Sequence, residues 1–228
     1  MTRVAEALAA LEAAGEARVR DGMGRYGIVA ARAFGVSVGN IRQLAKTIGR
    51  DHALADELWR TGWYEARLLA AFLDDPRQVT PEQMDRWAAD CENWADCDTI
   101  CFHLFDKTTH AFAKVDQWAA DERELIRRAA FALLASLALH DKKCGDEPFL
   151  ERLPLIAAAA PDDRNFVKKG VSWALRGIGG RKSPALRAAA RALADRLAGA
   201  PDKNAKWVGR DAQKAFAKAD KPQSSSRT

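Results

Sequence analysis

The sequence predicts an all-α protein, and three observations predict it. The 228 residues are rich in alanine, leucine and arginine, with only 15 glycines and 8 prolines, a vocabulary that favours helices. Apolar residues recur three and four apart along most of the chain, the spacing of one helix face. No stretch shows the period-two alternation of a half-buried strand.

The elements follow in order. The opening "MTRVAEALAALEAAGEARVR" is alanine-rich but broken by glutamates, so it lacks the apolar core of a signal peptide. In "VGNIRQLAKTIG", Ile41, Leu44, Ala45 and Ile48 fall at helical intervals, and Gly49 is a plausible stop. Asp51 is placed to cap the next helix, and "WYEARLLAAFLDDP" ends before Pro76. Thr80 stands at an N-cap with Pro81 at the first helical position. Further helices are predicted near 97–106, 109–119, 122–139, 147–159, 163–176, 184–198 and 203–217.

Helices of about 10–18 residues in short-turn pairs fit a HEAT-type α-solenoid with a concave surface suited to a long partner. A closed bundle is the competing architecture, but so many short helices are too numerous for a simple one. With no internal linker, residues 1–221 read as one domain, and 222–228 as a disordered tail.

No apolar run approaches the roughly 18 residues of a membrane span. Cys91, Cys97, Cys101 and Cys144 are too few and too unevenly spaced for a disulfide framework, which points to the cytoplasm. Cys97, Cys101 and His103 cannot converge from one regular helix, and no C-x-x-C pair occurs, so neither a metal nor a cofactor is expected. Charge is uneven: residues 161–228 hold 16 Lys+Arg against 6 Asp+Glu, while the rest of the chain is net acidic. That suits a polyanion at one end of the molecule, or simply a solvated basic surface.

Three stretches could carry chemistry. In "ENWADCDTICFHLF", Trp94 and Asp98 lie four apart on one helix face, where an indole and a poorly solvated carboxylate could stabilise a developing cation. The alternative is that Asp96 or Asp98 caps the helix and Trp94 is core. In "RNFVKKGVSWALRGIGGRK", Lys169, Trp173 and Arg176 form a basic stripe with an aromatic centre, suited to phosphate contact and stacking. The glycines at 177, 179 and 180 read as a helix end allowing close backbone approach, with Arg181 and Lys182 beyond. The alternative is a buried tryptophan with solvated cations. Arg127 and Arg128 open a strongly apolar helix, either near an inner face or snorkelling from it.

The ordered run "NWADCD", "LIRRAAFALL", "FVKKGVSWALR" resembles the AlkD-like family of DNA alkylation repair enzymes. The resemblance spans about residues 33–216, and its most specific marks are the Trp-x3-Asp pair and the Ser-Trp-x-Leu-Arg helix. It implies a HEAT-like solenoid that binds duplex DNA on a basic concave surface. It further implies a monomeric, monofunctional glycosylase that releases cationic alkylpurines, chiefly N7-alkylguanine and N3-alkyladenine, from double-stranded DNA without a cofactor.

By the resemblance, Asp98 is the catalytic carboxylate, Trp94 and Trp173 line the lesion's sugar and backbone, and Arg128 contacts DNA near it. Lys168, Lys169, Arg176, Arg181 and Lys182 are added as phosphate contacts on charge and position alone. Two positions depart from the family pattern. Ala95 follows the motif tryptophan where many relatives carry an acid, with Asp96 one place later. Ala33 precedes Phe34-Gly35 where relatives often carry an aromatic, and Tyr26 is a substitute the sequence does not place. The segment 141–163 is also longer than in relatives. A non-catalytic binder of damaged or branched DNA, and a HEAT-type protein scaffold, remain the competing readings.

Overall fold

A computed structural model describes residues 2–220, all of whose regular structure is helical. The tail expected at 222–228 lies outside the described residues. The chain divides into two compact units between Ala111 and Phe112, at the first residues of a helix and not at any linker.

The first unit holds α1 (Arg3–Ala13), α2 (Ala17–Gly22), α3 (Val38–Ile48), α4 (His52–Arg60), α5 (Tyr64–Leu73), α6 (Pro81–Asp90) and α7 (Trp94–His103). Local chemistry sets the starts. The side chains of Ser37, Asp51 and Thr80 accept from the backbone N–H three residues on, in Asn40, Leu54 and Gln83, satisfying otherwise orphaned donors. Gly49, at φ 81°, closes α3 where the sequence places its stop. In the core, Trp59 and Trp87 stack at 4.2 Å and the Trp59 indole N–H donates to Asp90 Oδ2 at 2.9 Å. The Glu65 carboxylate is fully buried on α5 and accepts from the N–H groups of Phe34, Gly35 and Val36. That clamp seats the irregular segment between α2 and α3, whose own backbone has no ladder to join.

The second unit runs through α8 (Ala111–Trp118), α9 (Glu124–His140), α10 (Glu147–Leu150), α11 (Leu153–Ala159), α12 (Asn165–Gly179), α13 (Pro184–Ala198) and α14 (Lys203–Asp220). The single helix predicted over 147–159 is two, because Pro154 cannot continue a helix and opens a new one in its first turn. α12 packs between α9 and α14. A larger departure is that α12 continues through Gly177 to Gly179, with Gly180 as its C-cap. A Cβ on Gly177 would stand 3.3 Å from the Ala138 Cβ of α9, and one on Gly179 would overlap the Phe216 ring of α14. These two glycines therefore let three helices approach closely, and they do not form a phosphate-cradling end.

Arg181, expected to contact phosphate, is occupied elsewhere for a related reason. Its guanidinium donates to the carbonyls of Ala138, Asp141 and Cys144 and lies 4.3 Å from the Phe149 ring centre. It satisfies the carbonyls that end α9 and lead out of it. No helix among the described residues is long and apolar enough to cross a membrane.

Gly179→Ala is expected to lower the unfolding free energy by about 1–3 kcal/mol through overpacking against Phe216. Gly145→Ala, where an added Cβ meets nothing within 4 Å, should stay within about 0.5 kcal/mol of wild type. Urea unfolding of both variants checks the pair.

Candidate functional site

In the first unit the candidate site is built by the start of α7. Asn93 is its N-cap: the side-chain oxygen accepts from Ala95 N and Asp96 N, and the Asp96 carboxylate accepts from Asn93 N. This reciprocal box starts the helix three residues before the predicted position. It also settles the division of labour between two acids. Asp96 is 1% exposed and holds the cap, whereas Asp98 is half-buried, one turn beyond the half-buried Trp94. The pair expected to share a helix face thus reaches solvent, and the capping alternative falls to Asp96.

The residues around this turn also grip the irregular N-terminal segment. Trp94 Nε1 donates to the Tyr26 carbonyl at 2.9 Å, Asn93 Nδ2 to the Val29 carbonyl at 3.2 Å, and Glu92 Oε2 accepts from Ala31 N at 3.0 Å. Glu92 is held in turn by Arg67 Nη1 at 3.0 Å. Tyr26, 72% exposed, is therefore tied through its backbone to the motif tryptophan. The sequence names Tyr26 but gives no means of placing it, because the link is a carbonyl 68 residues away from the indole.

Asp96 is electrostatically unusual. Burial pushes its pKa up to about 7, against the pull of N–H groups from Glu92, Asn93 and Cys97 that favour the carboxylate. The Arg67 guanidinium stands 3.9 Å from Asp96 Oδ2.

In the second unit, α12 and α14 present the basic residues. Lys169 is exposed, and Trp173 and Arg176 are half-buried on the same face of α12. Arg176 pairs with Asp211 Oδ2 of α14 at 3.4 Å, and Ser172 Oγ donates to the same oxygen at 2.5 Å. Lys168 Nζ donates to Asn204 Oδ1 and lies 5.4 Å from the Trp207 ring centre. Around Trp207, itself 39% exposed, α14 adds Lys203, Lys206, Arg210 and Lys214 in a groove of about 440 Å³. These α14 residues were missed in the sequence, although their spacing of three and four places them on one helix face with an aromatic, the same signal read on α12.

Arg128 differs from expectation. It is 6% exposed, and its Nη1 donates to the Phe166 carbonyl at 2.7 Å in the first turn of α12. A buried guanidinium needs such acceptors, and this one joins α9 to α12. Lys182 is exposed just beyond α12.

Residues 7–216 match the family described as DNA alkylation repair enzyme, and the chain belongs to that family. Its fold is a HEAT-like helical repeat. It is similar to a solved structure described as "a new family of proteins related to the HEAT-like repeat DNA glycosylases with affinity for branched DNA structures". The TM-score is 0.80 at 21% identity, over 96% of this chain and 95% of that one. No curated protein matches the sequence significantly.

The raised pKa of Asp96 has a consequence for stability. Its folded value of about 7 exceeds the ordinary 3.8, so between those limits the folded state holds the proton more tightly than the unfolded chain. The stabilising contribution is full below about pH 4 and declines as pH rises towards 7. The stability advantage of wild type over Asp96→Asn should therefore shrink between pH 4.5 and 7.5, by up to about 1.4 kcal/mol per pH unit. Urea midpoints of both proteins across that range check the sign.

Proposed function

We propose that this protein excises cationic alkylated purines, of the N7-alkylguanine and N3-alkyladenine type, from duplex DNA as a monofunctional glycosylase. The observation that carries the reading is the half-buried Trp94–Asp98 pair, one turn apart on α7 of a chain belonging to the DNA alkylation repair family. Alkylation leaves a positive charge on the base, which departs as a neutral group, so the glycosidic bond is already weak. The electron pair of that bond goes to the base, and the sugar becomes oxocarbenium-like. Asp98 opposes that cation electrostatically and orients the water that attacks the anomeric carbon, while the indole face of Trp94 lies against the sugar.

Tyr26, tethered to Trp94, is assigned a place along the damaged strand. In the second unit Trp173 and Trp207 supply apolar surface for sugar and backbone. Lys168, Lys169, Lys182, Arg176, Lys206, Arg210 and Lys214 supply phosphate contacts. Arg128 positions α12, and with it Trp173. Arg181 is left out of the contact set because it closes α9.

A second reading has a specific observation behind it. The similar solved structure is described by its affinity for branched DNA, and the α12–α14 surface would serve a binder without catalysis equally well. Single-turnover release of N7-methylguanine from a defined duplex separates the two. Under the glycosylase reading wild type releases base, and Asp98→Asn falls by about 10²–10³-fold with duplex affinity retained. No release by wild type, with salt-sensitive duplex binding, selects the binding reading. In either case Lys206→Ala/Lys214→Ala should weaken duplex binding and reduce the slope of log K against log salt by about 1.8. Anisotropy titrations from 50 to 200 mM salt measure it.

A further inference from the structure

The first unit carries a second groove that the excision reading does not use. It lies among α3, α5 and the C-terminal turn of α7 and has a volume of about 550 Å³. Arg42 and Lys46 line one side, a helical turn apart on α3, and Arg50 follows just beyond that helix. Phe72 and Phe102 supply aromatic walls, and His103 stands among them. Among the described residues, no carboxylate lines it.

The cations are positioned as well as present. Arg42 Nη2 donates to His103 Nε2 at 3.0 Å, and the Arg42 guanidinium lies 5.4 Å from the Phe72 ring centre. An arginine can only donate, so the imidazole accepts here. Phe72 and Phe102 lie 4.8 Å and 5.1 Å from the His103 ring, the first tilted against it and the second edge-on. Arg50 Nη1 donates to the Asp74 carbonyl at 3.2 Å. The three cations are exposed and the two phenylalanines half-buried.

A concave site with cations at its rim and flat aromatic walls within is built for an anion joined to a planar apolar group. That is the chemistry of a nucleotide whose base is unpaired. Phosphates alone would need no aromatic walls, and a duplex keeps its base faces stacked and out of reach. We infer that this groove binds single-stranded DNA, with backbone phosphates on Arg42, Lys46 and Arg50 and an unpaired base against Phe72 and Phe102. The inference goes beyond the excision reading and is independent of catalysis at Asp98. It gives the chain a way to hold DNA whose strands have separated.

The test uses the full chain and three fluorescein-labelled probes: a 12-mer oligothymidylate, a 12-base-pair blunt duplex, and that duplex with a six-nucleotide flap. Arg42→Ala/Lys46→Ala should lose at least about tenfold in affinity for the oligothymidylate and lower its salt slope by about 1.4. Its affinity for the blunt duplex should change less than about twofold. Phe102→Leu keeps an apolar side chain but removes the stacking face. It should lose about fivefold or more on oligothymidylate with an unchanged salt slope. The flap probe should bind wild type more tightly than the blunt duplex and lose that advantage in both variants.

Failure of wild type to bind oligothymidylate overturns the proposal. So do unchanged affinities in the variants, or equal losses on strand and duplex. Polyglutamate competing as well as oligothymidylate, with Phe102→Leu silent, would make the groove a site for acidic peptide and overturn it as well. Thermal melts of each variant identify any loss due to misfolding. Base release by Arg42→Ala/Lys46→Ala should equal that of wild type, and an inactive wild type would bear on Asp98 alone.

Discussion

The capping box at the start of α7 is the constraint on which the candidate site depends. Two side chains, Asn93 and Asp96, satisfy the first N–H groups of the helix and each other's backbone. That fixes where the helix begins, and with it which of the residues that follow look inward. Asp96 is drawn into the cap and buried, Cys97 and Cys101 face the core, and Trp94 and Asp98 are left on the open side. A helix starting three residues later would have no reason to present that pair.

The same turn is also a fastening point. Glu92, Asn93 and Trp94 each hold a backbone group of residues 26–31, a segment with little regular structure of its own. Glu65 secures the next stretch by taking three consecutive N–H groups on one buried carboxylate. The buried acids Glu65 and Asp96 thus serve as acceptors for backbone N–H groups outside the helical ladders, a use of charge that is costly to bury unless it is hydrogen-bonded. Asp98, two residues beyond the buried Asp96, is only half-buried. The two acids of one short motif are separated by burial.

In the second unit the cationic side chains divide in a parallel way. Arg128 and Arg181 are pulled into helix junctions because a planar guanidinium can satisfy several carbonyls at once. The lysines of α12 and α14 stay at the surface with Trp207 among them. Charge counted along the chain cannot separate these two uses, because both are basic residues near the same helices.

Much was legible from the sequence alone. The helical class, the caps at Asp51 and Thr80, the stop at Gly49 and the bounds of α13 follow from local rules of spacing and end chemistry, which act over three or four residues. The Trp94–Asp98 face was legible for the same reason, and the family resemblance rested on those residues. What local rules could not supply were matters of long-range contact. These are the close approach of α9, α12 and α14 at Gly177 and Gly179, the diversion of Arg181 onto the end of α9, and the tie between Tyr26 and Trp94. The groove around Arg42, Phe72 and His103 belongs with them, since it draws on three helices that are distant in the chain. Periodicity determines which face a residue takes, but only tertiary packing decides what that face meets.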